Sequence, residues 1–144
     1  MNISSLLASK GSNVITIQPE QTVRHAVGLL IEHNIGALVV VDGNRQPVGI
    51  LSERDIVRAA ARSERLFSEH VAAVMTKDVV LGLPQDDLAS VGHTMTERRI
   101  RHLPVMEGGK LVGIVSIGDV VKAQRDQYLG EVETLQTQLL SDSP

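Results

Sequence analysis

Two serine and aspartate pairs at one short spacing are the residues of this chain with the clearest capacity for chemistry: Ser52-Glu53-Arg54-Asp55 and Ser116-Ile117-Gly118-Asp119. Each follows an aliphatic run opened by a glycine, Gly49-Ile50-Leu51 or Gly113-Ile114-Val115, and each heads an apolar-periodic segment. That order reads as strand, tight turn and helix start. A strand feeding a helix N-terminus turns unpaired N–H groups and the positive end of the helix dipole toward one spot, which suits a phosphate. An aspartate in the first turn can also accept two hydrogen bonds from a vicinal diol. Ser-x-x-Asp is equally close to a capping box, which alone says only that a helix begins. Neither serine has a neighbouring base with an orienting acid, so no catalytic machinery is visible and the chain reads as a non-enzyme. His25, His33, His70 and His93 stand at no ligand spacing, so no metal site is expected.

Composition narrows the classes further. The chain has 144 residues, 42% hydrophobic and 22% charged, enough for one domain or two small fused halves with a real core. Aromatic residues are limited to Phe67 and Tyr128, so the core must be aliphatic and base stacking on aromatic platforms has little to work with. With a net charge of −3 there is no general basic face for a nucleic acid. There is no cysteine, which excludes disulfides, thiolate metal sites and cysteine nucleophiles and suits a reducing compartment. No apolar run approaches the roughly 18 residues of a membrane span, so a soluble cytoplasmic protein is expected.

The elements that must position the two pairs are themselves repeated. Residues 3 to 9 fit a short helix ended at Lys10-Gly11, a lid or brace. Val14-Ile15-Thr16-Ile17 reads as a strand stopped by Pro19. Thr22 caps a helix to about Asn34 with Val23, Ala26, Val27, Leu30 and Ile31 on its apolar stripe. Ala37 to Val41 and Pro47 to Leu51 form a hairpin around Asp42-Gly43-Asn44, and a helix from Ser52 to about Arg62 follows. After a polar connection with a helical turn near residues 68 to 74, the order replays: strand Val79-Val80-Leu81, Pro84, a helix with Leu88, Val91 and Met95 ending near Arg99, and a hairpin around Glu107-Gly108-Gly109. The expected fold class is α+β built from two β-α-β-β-α repeats, a pseudo-twofold pair packed sheet to sheet. The expected divisions are an N-terminal helix at 1–12, repeat 1 at 13–62, a linker at 63–76, repeat 2 at 77–125 and a helical extension at 126–144. In that extension Tyr128, Val132, Leu135 and Leu139 step by the seam spacing of a helix that meets another helix, and residues 141 to 144 read as a frayed tail.

With both Gly-h-h-Ser-x-x-Asp segments and the paired repeats in hand, the chain resembles the tandem CBS domain family, the Bateman module. The resemblance runs from about Val14 to Gln124, and the runs from Asn34 to Val40 and from Arg101 to Val105 look like those of stand-alone bacterial CBS-pair proteins. It implies a regulatory module that binds adenosine nucleotides in two clefts between the repeats. In the first cleft Thr16, Ile17, Ile35, Gly36 and Ala37 would frame the adenine while Ser116 and Asp119 reach the ribose. The second would pair Val80, Leu81, Ile100, Arg101 and His102 with Ser52 and Asp55. There Arg101 and His102 replace the small residues Gly36 and Ala37, so a base fits less well. Arg101, His102 and Arg54 are the phosphate candidates, since a guanidinium can grip phosphate bidentately. The implied ligand is AMP foremost, with ADP, ATP or NAD(H) in its place, and no catalytic cofactor. A redox sensor for NAD(H) on the same fold is one alternative; a ligand-free structural dimerisation adaptor is another of a different class. A homodimer and an unnamed regulated protein are the expected partners.

Overall fold

Capping residues set where the helices begin and end. The structure, a computed structural model, describes residues 1–141. Helix α1 (Ile3–Lys10) starts where the Asn2 side chain accepts from the Ser5 N–H and stops at Gly11, whose φ of 97° favours glycine. Strand β1 (Thr16–Ile17) leads to α2 (Val23–His33), capped by Thr22 and closed by Asn34 in the left-handed conformation. Its apolar stripe ends at Leu30; Ile31, expected on that stripe, is 75% exposed. Strands β2 (Ala37–Val41) and β3 (Pro47–Ser52) form the hairpin, and α3 (Glu53–Ala60) follows. A 3-10 turn (Leu66–Ser68) and the single-turn helix α4 (Val71–Val74) make the connection. The second repeat supplies α5 (Leu88–Arg98), β4 (His102–Glu107), β5 (Lys110–Ser116) and α6 (Ile117–Ser141). Residues 142 to 144 of the expected frayed tail lie outside the described residues; Ser141 is still helical.

The first repeat carries a three-stranded sheet, β1 parallel to β2 and β2 antiparallel to β3. In the second, β4 and β5 pair with the same bulge, between Val105 and Met106 as between Val40 and Val41. The strand expected at Val79 to Leu81 does not form, and a single parallel bridge joins Gly82 to Val105. Pro104 explains the loss. In the first repeat the Val39 N–H donates to the Ile15 carbonyl, whereas proline at the matching position has no N–H to donate. Gly82 still approaches closely, and a Cβ there would collide with the Leu103 side chain.

The two short helices are exchanged between the repeats. Ile3, Leu6 and Leu7 of α1 join the core of the second repeat with Leu88, Met95 and Val115. Val71 joins the core of the first repeat, with Val74 and Met75 packed against it. Isolated bridges fix both: Asn2 pairs with Asp87, the N-cap of α5, and His70 with Thr22, the N-cap of α2. Gly49 and Gly113 receive these visitors. A Cβ at Gly49 would lie 2.5 Å from Met75 Sδ, and one at Gly113 would lie 2.7 Å from a Leu7 methyl. Between the sheets, Val39 and Val41 meet Met106 and Leu111, with Val14 and Ile114 against them. Helix α1 is thus a brace on the second repeat.

Candidate functional site

The two Ser-x-x-Asp turns have nearly identical local geometry. Ser52 N–H donates to Asp55 Oδ2 at 2.9 Å and Asp55 N–H donates to Ser52 Oγ at 3.2 Å, a full capping box. Ser116 N–H donates to Asp119 Oδ2 at 2.9 Å and Asp119 N–H donates to Ser116 Oγ at 3.1 Å. Both satisfy orphan N–H groups at a helix start, so the capping role is real in each. Beyond the turn they differ.

Asp119 and Ser116 face the first repeat across a cavity of about 330 Å³. Ile35, Gly36 and Ala37 form the opposite wall, and Ile15 and Ile114 supply apolar surface. Asn34, in its left-handed cap, ends α2 at the rim. The structure therefore brings together five of the seven residues expected in the first cleft. Thr16 and Ile17 are not on its wall: Ile17 is buried in the core of the first repeat, and Ile15, two residues earlier and partly buried against the same core, lines the cavity instead. Alternation along the extended segment turns Thr16 away from the face that Ile15 and Ile17 share, and of those two Ile15 lies at the cavity.

Lys10 was missed by sequence reasoning. Its Nζ donates to Asp119 Oδ2 at 2.5 Å and to the Ile114 carbonyl at 2.8 Å. Burial alone pushes the Asp119 carboxyl up; the Lys10 ammonium and the Ser116 donors outweigh it and hold the group below its ordinary value. With the two side chains 30% and 26% exposed, the ion pair is worth about 1 kcal/mol. Its only sequence signal was a lysine before the helix-ending Gly11, where it reads as a dipole partner.

His102 also stands in this cleft, opposite Ser116 in the β4–β5 register, and not with Ser52 and Asp55 as expected. A Cβ on Gly36 would be 3.8 Å from its Nε2. Burial lowers its pKa, with Asp119 and Glu53 pulling up and Lys10 and Arg101 pushing down.

The residues expected in the second cleft are dispersed. Asp55 Oδ1 accepts from Thr76 Oγ1 at 3.0 Å, while Oδ2 accepts from the Ser52 N–H and hydroxyl. Val80 and Leu81 border a different cavity, of about 410 Å³, between residues 80–87 and α5. Ile100 packs on the core of the second repeat. Arg101 and Arg54 have exposed side chains; the Arg101 carbonyl accepts from the Ile117 N–H, as that of Gly36 does from Glu53. Among the described residues no cluster of His, Asp and Glu side chains could hold a metal ion, and no helix is long and apolar enough to cross a membrane.

Two repeats of one topology, exchanging their leading helices and enclosing a cleft between a Ser-x-x-Asp turn and a Gly-Ala corner, define a tandem α+β pair. The CBS domain family model matches residues 7–62 and again 71–126. The CBS-domain containing protein ATU1752 from Agrobacterium tumefaciens superposes with a TM-score of 0.83 at 41% identity, over 86% of this chain and 99% of that one. The CBS domain-containing protein YhcV of Bacillus subtilis is 34% identical over 122 residues, 85% of this chain and 86% of that protein. The CBS domain pair of protein MJ0100, solved in complex with 5-methylthioadenosine and S-adenosyl-L-methionine, gives a TM-score of 0.79 at 25% identity, over 88% and 98% of the two chains. This chain belongs to the CBS domain family, as a pair of repeats, a regulatory nucleotide-binding type of module.

Proposed function

We propose that the chain is a sensor that binds an adenosine nucleotide, AMP foremost, in the cleft between Asp119 and the Gly36-Ala37 corner. The observation that carries this reading is the cavity itself: a carboxylate and a helix N-terminus on one side, the small residues Gly36 and Ala37 on the other. Backbone groups can read the edge of adenine where Gly36 and Ala37 let it approach, and Asp119 can hold both ribose hydroxyls. At about 330 Å³ the cavity lies near the lower end of the roughly 300–1,000 Å³ typical of ligand sites, which favours one nucleotide over a buried dinucleotide. An NAD(H) ligand would have to leave its second half outside. That MJ0100 is solved with two adenosine compounds supports the ligand class.

The adaptor reading has its own support in the first repeat. The Asp55 carboxylate accepts from Ser52 on one oxygen and from Thr76 on the other, which ties this turn to the linker as a cap. We therefore assign one working cleft. Occupancy biases packing between the repeats, or between subunits of a homodimer, by the ligand's differential affinity for the two arrangements. The exposed seam of Tyr128, Leu135 and Leu139 on α6 gives a second copy a helix to meet. A cysteine-free chain with this ligand suits the cytoplasm.

A thermal-shift series on nucleotide-free protein with AMP, ADP, ATP, NAD, NADH and S-adenosylmethionine tests the reading. A ligand at 100 times its Kd stabilises by about 2.7 kcal/mol. AMP is expected to give the largest rise; no rise with any of the six would leave the structural adaptor.

A further inference from the structure

Lys10 reaches the first cleft from a helix that precedes the first repeat yet packs on the second. Its ammonium and the Ser116 N–H both donate to Asp119 Oδ2, the ammonium at 2.5 Å. A diol that engages both carboxylate oxygens must therefore displace a cation supplied by the chain itself. The matching aspartate of the first repeat has a neutral partner instead, Thr76 Oγ1 on Asp55 Oδ1.

Displacement has an electrostatic consequence. A neutral diol takes the carboxylate and leaves the ammonium, whose side chain is 30% exposed, with the Ile114 carbonyl and solvent in place of its anionic partner. The other ionisable groups that act on this corner are Glu53, Arg101 and His102, and Glu53 lies beside Gly36 on the far wall. A ligand that carries its own anion restores the pairing. The 5′ substituent of a ribose lies across the ring from its 2′ and 3′ hydroxyls, and the flexible four-carbon stem of a lysine lets its ammonium swing between the two.

We propose that Lys10 determines ligand class in this cleft: it closes the empty site by pairing with Asp119 and admits adenosine ligands with an anionic 5′ group in preference to neutral ones. The inference rests on the adenosine reading of the cleft given above. It ranks AMP above adenosine and above neutral thioether nucleosides. It also makes ligand entry and the resting position of α1 compete for one carboxylate.

Calorimetric titration of AMP and of adenosine into the parent, Lys10→Met and Lys10→Arg proteins tests it. The parent should bind AMP about tenfold or more tightly than adenosine, the worth of one charge-assisted contact. In Lys10→Met that ratio should fall toward one, with adenosine binding strengthened because Asp119 is unmasked, and Lys10→Arg should retain the preference. An unchanged ratio in Lys10→Met, with both ligands binding the parent, overturns the proposal and leaves the adenosine cleft standing. Binding of neither ligand by the parent overturns the cleft reading and the proposal with it. Should Lys10→Met fail to fold, equal parent affinities for AMP and adenosine would overturn the proposal alone.

Discussion

The turn at Ser52 and Asp55 and the turn at Ser116 and Asp119 share a motif, a capping geometry and a place in their repeats, yet only the second faces the small-residue corner across a cavity. What separates them comes from elsewhere in the chain. Asp55 receives a hydroxyl from the linker, at Thr76; Asp119 receives an ammonium from α1, at Lys10, 109 positions away. Across the cleft, Ile35-Gly36-Ala37 opposes Asp119, whereas its counterpart Ile100-Arg101-His102 sends one side chain to solvent and another into the first cleft. A local motif can specify a helix start twice, and the segments packed against it decide whether it is also a site.

The largest effect on this contrast should come from the exchanged helices. Leu7, 9% exposed, fills the space over Gly113, so Leu7→Ala should cost about 3 kcal/mol in urea denaturation and loosen the seat of Lys10. The half-buried Met75 over Gly49 should cost less, about 2 kcal/mol on Met75→Ala, and leave ligand binding unchanged. Equal losses of binding in both variants would mean that the two turns are not functionally distinct. Next comes Gly36→Val. The nearest atoms to a Cβ there are 3.8 Å away, so the fold should persist while the filled corner weakens AMP binding about tenfold or more in titration.

The shared part of the motif should respond alike in both repeats. Ser52→Ala and Ser116→Ala each remove a capping acceptor, and each should lower stability by about 1 kcal/mol, read as matched shifts in melting temperature. His102 offers the smallest test. Burial holds it below its ordinary 6.5, so the unfolded chain takes up the proton first, and its contribution to stability is lost as the pH falls through 6.5 toward the folded value. Asp119, also lowered, adds a separate loss only as the pH drops below the carboxylate range. His102→Gln should flatten the pH dependence of melting below about pH 6.5; an unaltered slope would assign it to other groups.

The local signals were legible in the sequence. Thr22 and the two Ser-x-x-Asp turns marked helix starts by hydrogen bonds made within three residues, and Gly108-Gly109 marked a turn, which takes positive φ at both positions. The repeat made the pairing of two units legible as well. Features that depend on distant packing were not. Pro104 sits in a strand as expected, but its missing N–H shows its effect only on the neighbouring segment at Val80. Lys10 reads as a helix-end cation until α1 is known to dock on the opposite repeat, and His102 reads as a second-cleft residue until its register against Ser116 is seen. Thr76 likewise looked like linker, yet it bridges to Ile50 and engages Asp55.

The most direct test of the central claim is AMP titration into the paired variants Asp119→Ala and Asp55→Ala, each checked for a folded state by its melting transition. AMP binding should vanish in Asp119→Ala and persist at parental strength in Asp55→Ala, while both lose about 1 kcal/mol of stability with their helix cap. Parental AMP affinity in Asp119→Ala, or loss of binding in Asp55→Ala alone, would contradict the assignment of the ligand to the first cleft.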